Sequence, residues 1–388
     1  MKRYYSTLLL ALLFIVNTIS AREMHLYIGT YTDGGSKGIY HYLFDTKTGT
    51  LEFADVIGEI KNPSFLKISS NLKYLYSVAE GDSYNGVRGG GVAAYKIGKG
   101  GILSKINDAL SLGAYPCHVT VSPDNKKIVA SNYGGGSLAI YDIVEGGGIS
   151  PIRQLIQHEG TGADLKRQSS AHTHSAQFGA SGRQLFTADL GIDKFLIYSY
   201  NEDSLLYFPD KQPFVRMEPG AGPRHFSFTR KQDFIYVINE LNSTISVLKN
   251  TKEEIKKIQD ISTLPADFTG TSYCADIHLS PDGRFVYGSN RGHNSISIFS
   301  RDQKSGLLTL MGTEPVRGDW PRNFSIAPGG NFLLVANQKS DNITVFNIDK
   351  KSGKLSYSGI EIKVPSPVCL EFLSHLRSSW PNPLDLLH

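Results

Sequence analysis

Apolar and polar residues alternate in short runs along most of this chain, and Gly, Asn, Asp and Pro break the runs at close intervals. Period-two alternation rich in β-branched and aromatic residues is the pattern of half-buried strands, and no long stretch carries the apolar period of a helix. One unit reads clearly. Arg224–Phe228 is a strand, Arg230–Asp233 a turn, and Phe234–Asn239 a second strand. Leu241–Ser243 then turns into a third strand, Thr244–Leu248, and Glu254–Ile258 is a ragged fourth. Third strands of the same kind recur at Ser137–Tyr141, Ser295–Phe299 and Asn342–Phe346.

Two columns of residues turn this pattern into a repeat. Pro63, Pro116, Thr173, Pro223, Cys274 and Pro321 each stand six residues before a turn of the Ser-Pro-Asp-Gly kind. Glu80, Tyr133, Leu190, Glu240, Arg291 and Gln338 each end the next apolar run. Both columns advance by the same irregular steps of 53, 57, 50, 51 and 47 residues. A repeat of this length with four short strands per unit predicts a β-propeller. The N-terminal runs Leu26–Tyr31, Gly38–Tyr42 and Thr50–Phe53 lack an inner strand, and Pro367–Phe372 is an inner strand without the rest. The two ends therefore complete one blade. The expected fold is all-β, a seven-bladed propeller with its last blade shared between the termini, which removes the open sheet edge.

The start of the chain adds a boundary. Met1-Lys2-Arg3 is followed by an apolar run from Leu8 to Val16 and then by small polar residues through Ala21. Those are the parts of a secretory signal peptide, and nine apolar residues fall short of the roughly 20 that span a bilayer. The expected organisation is a signal peptide at 1–21, a propeller at 22–376 and a tail at 377–388, in an exported protein, periplasmic or secreted. Without Lys2 and Arg3 the chain holds 38 basic and 36 acidic side chains. That balance is no nucleic-acid or membrane-surface pattern. Cys117, Cys274 and Cys369 fall in three different repeats and read as small buried thiols rather than a disulfide scaffold.

The register also says which residues meet at one mouth of the channel. The position after the first column reads Ser64, Cys117, His174, Arg224, Ala275, Arg322 and Val368. The second column adds Tyr31, Glu80, Tyr133, Leu190, Glu240, Arg291 and Gln338 at the same end of the sheets. Buried charge is costly, so a ring with Arg224, Arg291, Arg322, Glu80, Glu240 and His174 predicts a pocket for an anionic ligand, held by planar guanidiniums. His172 and His174, two apart, point the same way in a strand, and an imidazole there could move a proton. A metal would need Glu240 or Asp189 as a third ligand, and the arginines already supply positive charge, so none is expected. His118 and His225, one position further along, are expected on the opposite sheet face in structural roles. The column Asn132, Asp189, Asn239, Asn290 and Asn337 is expected to cap backbone donors at a repeated turn. Cys117 has no adjacent base in this reading and is no nucleophile. No Gly-x-Ser-x-Gly elbow or phosphate loop is present. Two long polar connections, 154–171 and 262–272, arch over the channel face.

Several motifs add a resemblance. Tyr27-Ile28-Gly29-Thr30-Tyr31-Thr32, Asn132-Tyr133-Gly134-Gly135-Gly136-Ser137, His172-Thr173-His174-Ser175, Gly220-Ala221-Gly222-Pro223-Arg224-His225, Asn239-Glu240-Leu241 and Pro321-Arg322-Asn323-Phe324 resemble the lactonase family of seven-bladed propellers, blade by blade over 25–373. The family holds propeller-type 6-phosphogluconolactonases and carboxymuconate-lactonising enzymes. Ala171 departs from it, since Pro usually stands before the His-x-His. The resemblance implies that His174, Arg224, Glu240 and Arg291 carry the chemistry. The expected roles are Glu240 taking a proton from the attacking water and His174 protonating the ring oxygen as it leaves, or the two with these roles exchanged. Arg322, His172, Glu80, Tyr133 and Gln338 are expected to bind substrate. The expected activity is hydrolysis of a sugar-acid lactone without a cofactor, by a monomer acting on a small anionic lactone or sugar acid. Cycloisomerisation of a carboxylated muconate and a non-enzymatic binding propeller are the alternatives.

Overall fold

The computed structural model of the protein describes residues 23–374. The expected signal peptide and C-terminal tail lie outside these residues. Within them are seven four-stranded antiparallel sheets and one two-stranded ribbon. The inner strands are Leu66–Ile68, Pro116–Val121, Thr173–Phe178, Pro223–Phe228, Tyr273–Leu279, Pro321–Ile326 and Pro367–Phe372. The last of these pairs with Glu23–Thr30, Ile28 opposite Leu370 and Gly29 opposite Cys369, so the termini do share a blade.

Packing follows the ring. Seven apolar clusters each fill the gap between two neighbouring blades. One joins Phe186, Phe195 and Ile197 to Phe226, Phe228 and Ile235. Another closes the circle by joining Tyr27 and Ile39 to Leu66, Leu75 and Tyr95. Buried tyrosines on second strands reach across the same gaps to a glycine carbonyl in the next blade: Tyr27 to Gly101 at 2.6 Å, Tyr76 to Gly147 at 2.9 Å, Tyr236 to Gly306 at 2.8 Å and Tyr287 to Gly353 at 2.9 Å. A buried phenol needs such a partner. Gly147 cannot be replaced cheaply, because its φ is +85° and a Cβ there would meet the Tyr74 ring at 2.3 Å.

Some details differ from the sequence reading. Residues 154–157 belong to the outer strand Ile149–Gln157, and the connection begins at His158. Likewise the outer strand Ile255–Ser262 runs to the start of the second connection. The repeated amides are structural, but they donate rather than cap. Asn132 Nδ2 donates to the Ser111 carbonyl at 3.2 Å and Asn290 Nδ2 to the Thr263 carbonyl at 3.2 Å. Only Asp189 in that column accepts from backbone N–H groups, of His172 at 2.8 Å and Gly191 at 2.9 Å. The three thiols are free and buried.

The closure carries a prediction. Val368, Cys369 and Leu370 are buried, Glu371 pairs with Lys67 at 2.7 Å, and the Leu370 N–H donates to Asn323 at 2.8 Å. Burying an apolar side chain contributes about 1.5–3 kcal/mol, and whole domains are stable by only about 5–15 kcal/mol. A chain ending at residue 364 should lose the cooperative thermal transition by circular dichroism. A truncated protein that melts near the full-length temperature would show the closure to be dispensable.

Candidate active site

The channel wall is built by one irregularity repeated around the ring. In five blades the pairing of inner and second strand slips just after the first-column residue, between Pro116 and His118, Thr173 and Ser175, Pro223 and His225, Cys274 and Ile277, and Pro321 and Asn323. A β-bulge of this kind leaves a residue out of the ladder and re-aims its side chain. Cys117, His174, Arg224 and Arg322 are the residues skipped in four blades. Ser64, Cys117, Arg224, Arg322 and Val368 line one cavity of the channel together with Tyr31 and Glu80. The bulge also corrects the expectation for His118 and His225. Both line the channel from its other side, with Phe65, Asp276 and Asn323. The rings of Phe65, His118 and His225 lie 4.2–5.8 Å apart and close the channel between its two mouths.

Glu240 is the centre of the charged ring. Its Oε2 takes Arg224 Nε at 3.1 Å and Arg291 Nη2 at 2.7 Å, and its Oε1 takes Arg167 Nη2 at 2.6 Å. Burial opposes ionisation, but Arg291, Arg224 and Arg167 overcome it and hold the carboxyl below the usual carboxylate range. A carboxylate with both oxygens so paired is a poor proton acceptor, which argues against a general-base role for Glu240. Burial and then the charges of Arg291 and Arg322 lower the Arg224 guanidinium to about 10, where it is still cationic at neutral pH. Arg167 was not legible in the sequence. It stands in the aperiodic 158–172 connection, is pinned there by its neighbour Gln168, which donates to Leu190 and Asp193 at 2.8 and 2.7 Å, and also reaches Tyr133 at 3.4 Å.

A second group lies beside the first. Arg322 donates to the Tyr31 hydroxyl at 2.9 Å, and Tyr31 donates to Glu80 at 2.9 Å. Ser64 also donates to Glu80. Arg322 has no carboxylate within ion-pair distance among the described residues. Arg167, Arg224, Arg291 and Arg322 against Glu80 and Glu240 leave an excess of positive charge. Arg291 Nε and Gln338 Oε1 are buried with no hydrogen-bond partner among the described residues. Gln338 makes no hydrogen bond to the charged groups, and its side chain offers an acceptor instead.

His172 and His174 both meet Tyr133. His172 stacks on its ring at 4.6 Å, and His174 meets it edge-on at 5.5 Å. His172 Nδ1 lies 2.9 Å from the Tyr133 carbonyl, which only accepts, so the proton of the neutral ring sits on Nδ1. His174 is buried, and burial together with the positive charge of Arg224 pulls its pKa well below 6.5. Its imidazole is neutral at pH 7. Cys117 Sγ lies 3.8 Å from His174 Nδ1, so an adjacent base is present after all, but burial pushes the thiol far up and keeps it protonated. Asp189 is taken by His158 at 2.7 Å and is not available to a metal at the His172–His174 pair. Among the described residues no group of three His, Cys, Asp or Glu side chains is arranged to hold a metal ion.

The fold agrees with comparisons to known proteins. The chain is 38% identical over 351 residues to the 6-phosphogluconolactonase of Bacillus subtilis (strain 168), covering 89% of this chain and 97% of the relative. It is 37% identical to the 6-phosphogluconolactonase of Formosa agariphila over 78% of this chain and 86% of that one. The solved periplasmic gluconolactonase of Pseudomonas aeruginosa superposes with a TM-score of 0.85 at 32% identity, over 91% of this chain and 99% of that one. Residues 25–372 match the model of the lactonase family of seven-bladed β-propellers, and the chain belongs to that family.

Proposed function

We propose that this protein hydrolyses the lactone of a sugar acid in the channel mouth around Glu240. The observation that carries the reading is a neutral, buried imidazole beside guanidiniums whose positions are fixed by one central carboxylate. Water attacks the lactone carbonyl, and His174 takes its proton. Arg224 and Arg291 face the charge that develops on the carbonyl oxygen, preorganised by Glu240 so that little rearrangement is needed. The ring C–O bond then breaks, and the imidazolium returns the proton to the leaving oxygen. Glu240 is assigned the anchoring role and His174 both proton transfers. Arg322, Tyr133, His172, Glu80 and Gln338 are assigned to substrate binding, and Arg167 joins them. The relatives named as 6-phosphogluconolactonases and gluconolactonase support the substrate class. The N-terminal pattern and the periplasmic relative support export. Among the described residues no helix is long and apolar enough to cross a membrane. We take the working unit to be a monomer.

Acid release from glucono-1,5-lactone and from its 6-phosphate, measured by pH-stat against spontaneous opening, tests the reading. Enzyme-dependent release is expected, and its absence with both would remove the lactonase assignment. Only hydrolysis consumes water, which separates this from cycloisomerisation of a muconate. Arg224→Ala and Arg291→Ala should each weaken binding of the acid product by about 1.5–3 kcal/mol, the scale of a charge-assisted hydrogen bond. Calorimetric titration with 6-phosphogluconate reads this, and unchanged affinity in both variants would move the anion site elsewhere.

A further inference from the structure

The channel holds a hydrogen-bonded chain that leads away from Glu240 toward the opposite mouth. Arg224 Nη1 lies 3.3 Å from His225 Nε2, His225 Nδ1 lies 2.8 Å from Asp276 Oδ1, and Asp276 Oδ2 lies 3.0 Å from His278 Nε2. Asn323 Nδ2 donates to Asp276 Oδ2 at 2.5 Å, and its Oδ1 accepts from Leu370. Arg224, His225 and Asp276 are all buried, while His278 is partly exposed at the far mouth. The bulge makes this chain possible, because it turns two consecutive residues, Arg224 and His225, into the channel.

The tautomer of His225 is determined twice over. A guanidinium only donates, so Nε2 must be bare where Arg224 meets it. An ionised carboxylate only accepts, so Nδ1 must carry the proton where Asp276 meets it. Both demands select the same neutral form. Asp276 is ionised, since burial opposes its charge but His278 and His225 overcome this. Burial and the Arg224 charge hold His225 at about 4, neutral at pH 7. Arg224 is thereby gripped from three sides, by Glu240 on Nε and by the Ala275 carbonyl and His225 on Nη1. Its Nη2 makes no hydrogen bond among the described residues and remains for a ligand.

We propose that His225 and Asp276 are positioning residues of the lactonase site: Asp276 fixes the His225 tautomer, and His225 fixes the Arg224 guanidinium from the far side of the channel. The proposal rests on the lactonase reading for its catalytic consequence and on the hydrogen-bond chain alone for its structural one. Small misplacements of a catalytic group cost up to about 100-fold in rate.

Three variants test it. Gln at position 225 can place an acceptor where Nε2 stood, whereas Asn can reach Asp276 but not Arg224. His225→Gln should therefore keep kcat/KM within a few-fold of the wild type, and His225→Asn should lose about 10- to 100-fold. Asp276→Asn should lose as much as His225→Asn, because the amide lets the ring flip to the Nε2–H tautomer and present a donor to Arg224. A merely structural role for the ring would make Gln and Asn equally harmful, and that result would overturn the proposal. Side-chain nitrogen NMR of protein labelled at histidine and arginine needs no turnover. Nδ1–H with bare Nε2 at His225 is expected in the wild type, and an Arg224 Nε–H resonance that moves in Asp276→Asn is expected alongside it. An Nε2–H form in the wild type, or an unmoved Arg224, sinks the proposal even if no lactone is opened. Failure of the wild type to open any lactone, with these NMR signatures present, would sink the lactonase reading and leave the positioning chain standing. If Asp276→Asn does not fold, the wild-type tautomer and the His225 pair decide.

Discussion

His174→Asn should lower kcat for the fastest-opened lactone by about 10²–10⁴-fold, the usual contribution of a general acid–base group, while affinity for the acid product changes little. The amide keeps a polar side chain at the position but cannot cycle a proton, so the transition state loses more than the ground state. The variant should fold, because no ion pair is broken. The pH profile gives an independent check. His174 acts as a base only when neutral, and burial with the Arg224 charge depresses its pKa below 6.5. Lowering the pH through 6.5 should therefore leave kcat/KM nearly flat, with the acid limb appearing well below. A limb centred at 6.5 or above would mean that His174 is not held in this electrostatic environment. A wild-type rate in His174→Asn would remove it from the mechanism altogether.

The propeller was readable because repetition multiplies weak signals. Neither Pro223 nor Glu240 means much alone, but five matched steps in two columns locate every inner strand and the shared blade. The same register placed Arg224, Arg291, Glu240 and His174 at one mouth, as the structure does. It failed where backbone pairing departs from simple alternation. The bulge after Pro116 and after Pro223 adds a residue to one strand, so His118 and His225 turn into the channel when period two sends them outward. Hydrophobic pattern carries no sign of that slip. Arg167 was hidden for a different reason. Its carboxylate partner lies 73 residues away, and the connection that carries it has no period to place it. The sequence also showed charges without their pairing. A ring of arginines and glutamates left Glu240 free to be imagined as a base, whereas three guanidiniums occupy its two oxygens.

Glu240→Gln should act first on stability and only then on rate. Among the described residues the carboxylate is the sole counter-ion within bonding distance of Arg224 and Arg291, whose side chains are 3% and 5% exposed. Removing one partner of a buried pair leaves the other charge uncompensated, at a cost of about 3–5 kcal/mol. Here two buried cations are stranded at once, beside Arg322, whose charge already opposes theirs. Urea denaturation should show a lowered midpoint with an unchanged slope. Two further measurements identify the cause. In the Glu240→Gln background, Arg291→Gln should cost less than it does in the wild type, because it then removes an unpaired charge; contacting residues of this kind are non-additive. Added 6-phosphogluconate should raise the melting temperature of Glu240→Gln, since an anion bound only by the folded state stabilises it by mass action. A Glu240→Gln protein with wild-type stability and lost turnover would instead mark the carboxylate as the proton acceptor, and the base assigned to His174 would have to move to Glu240.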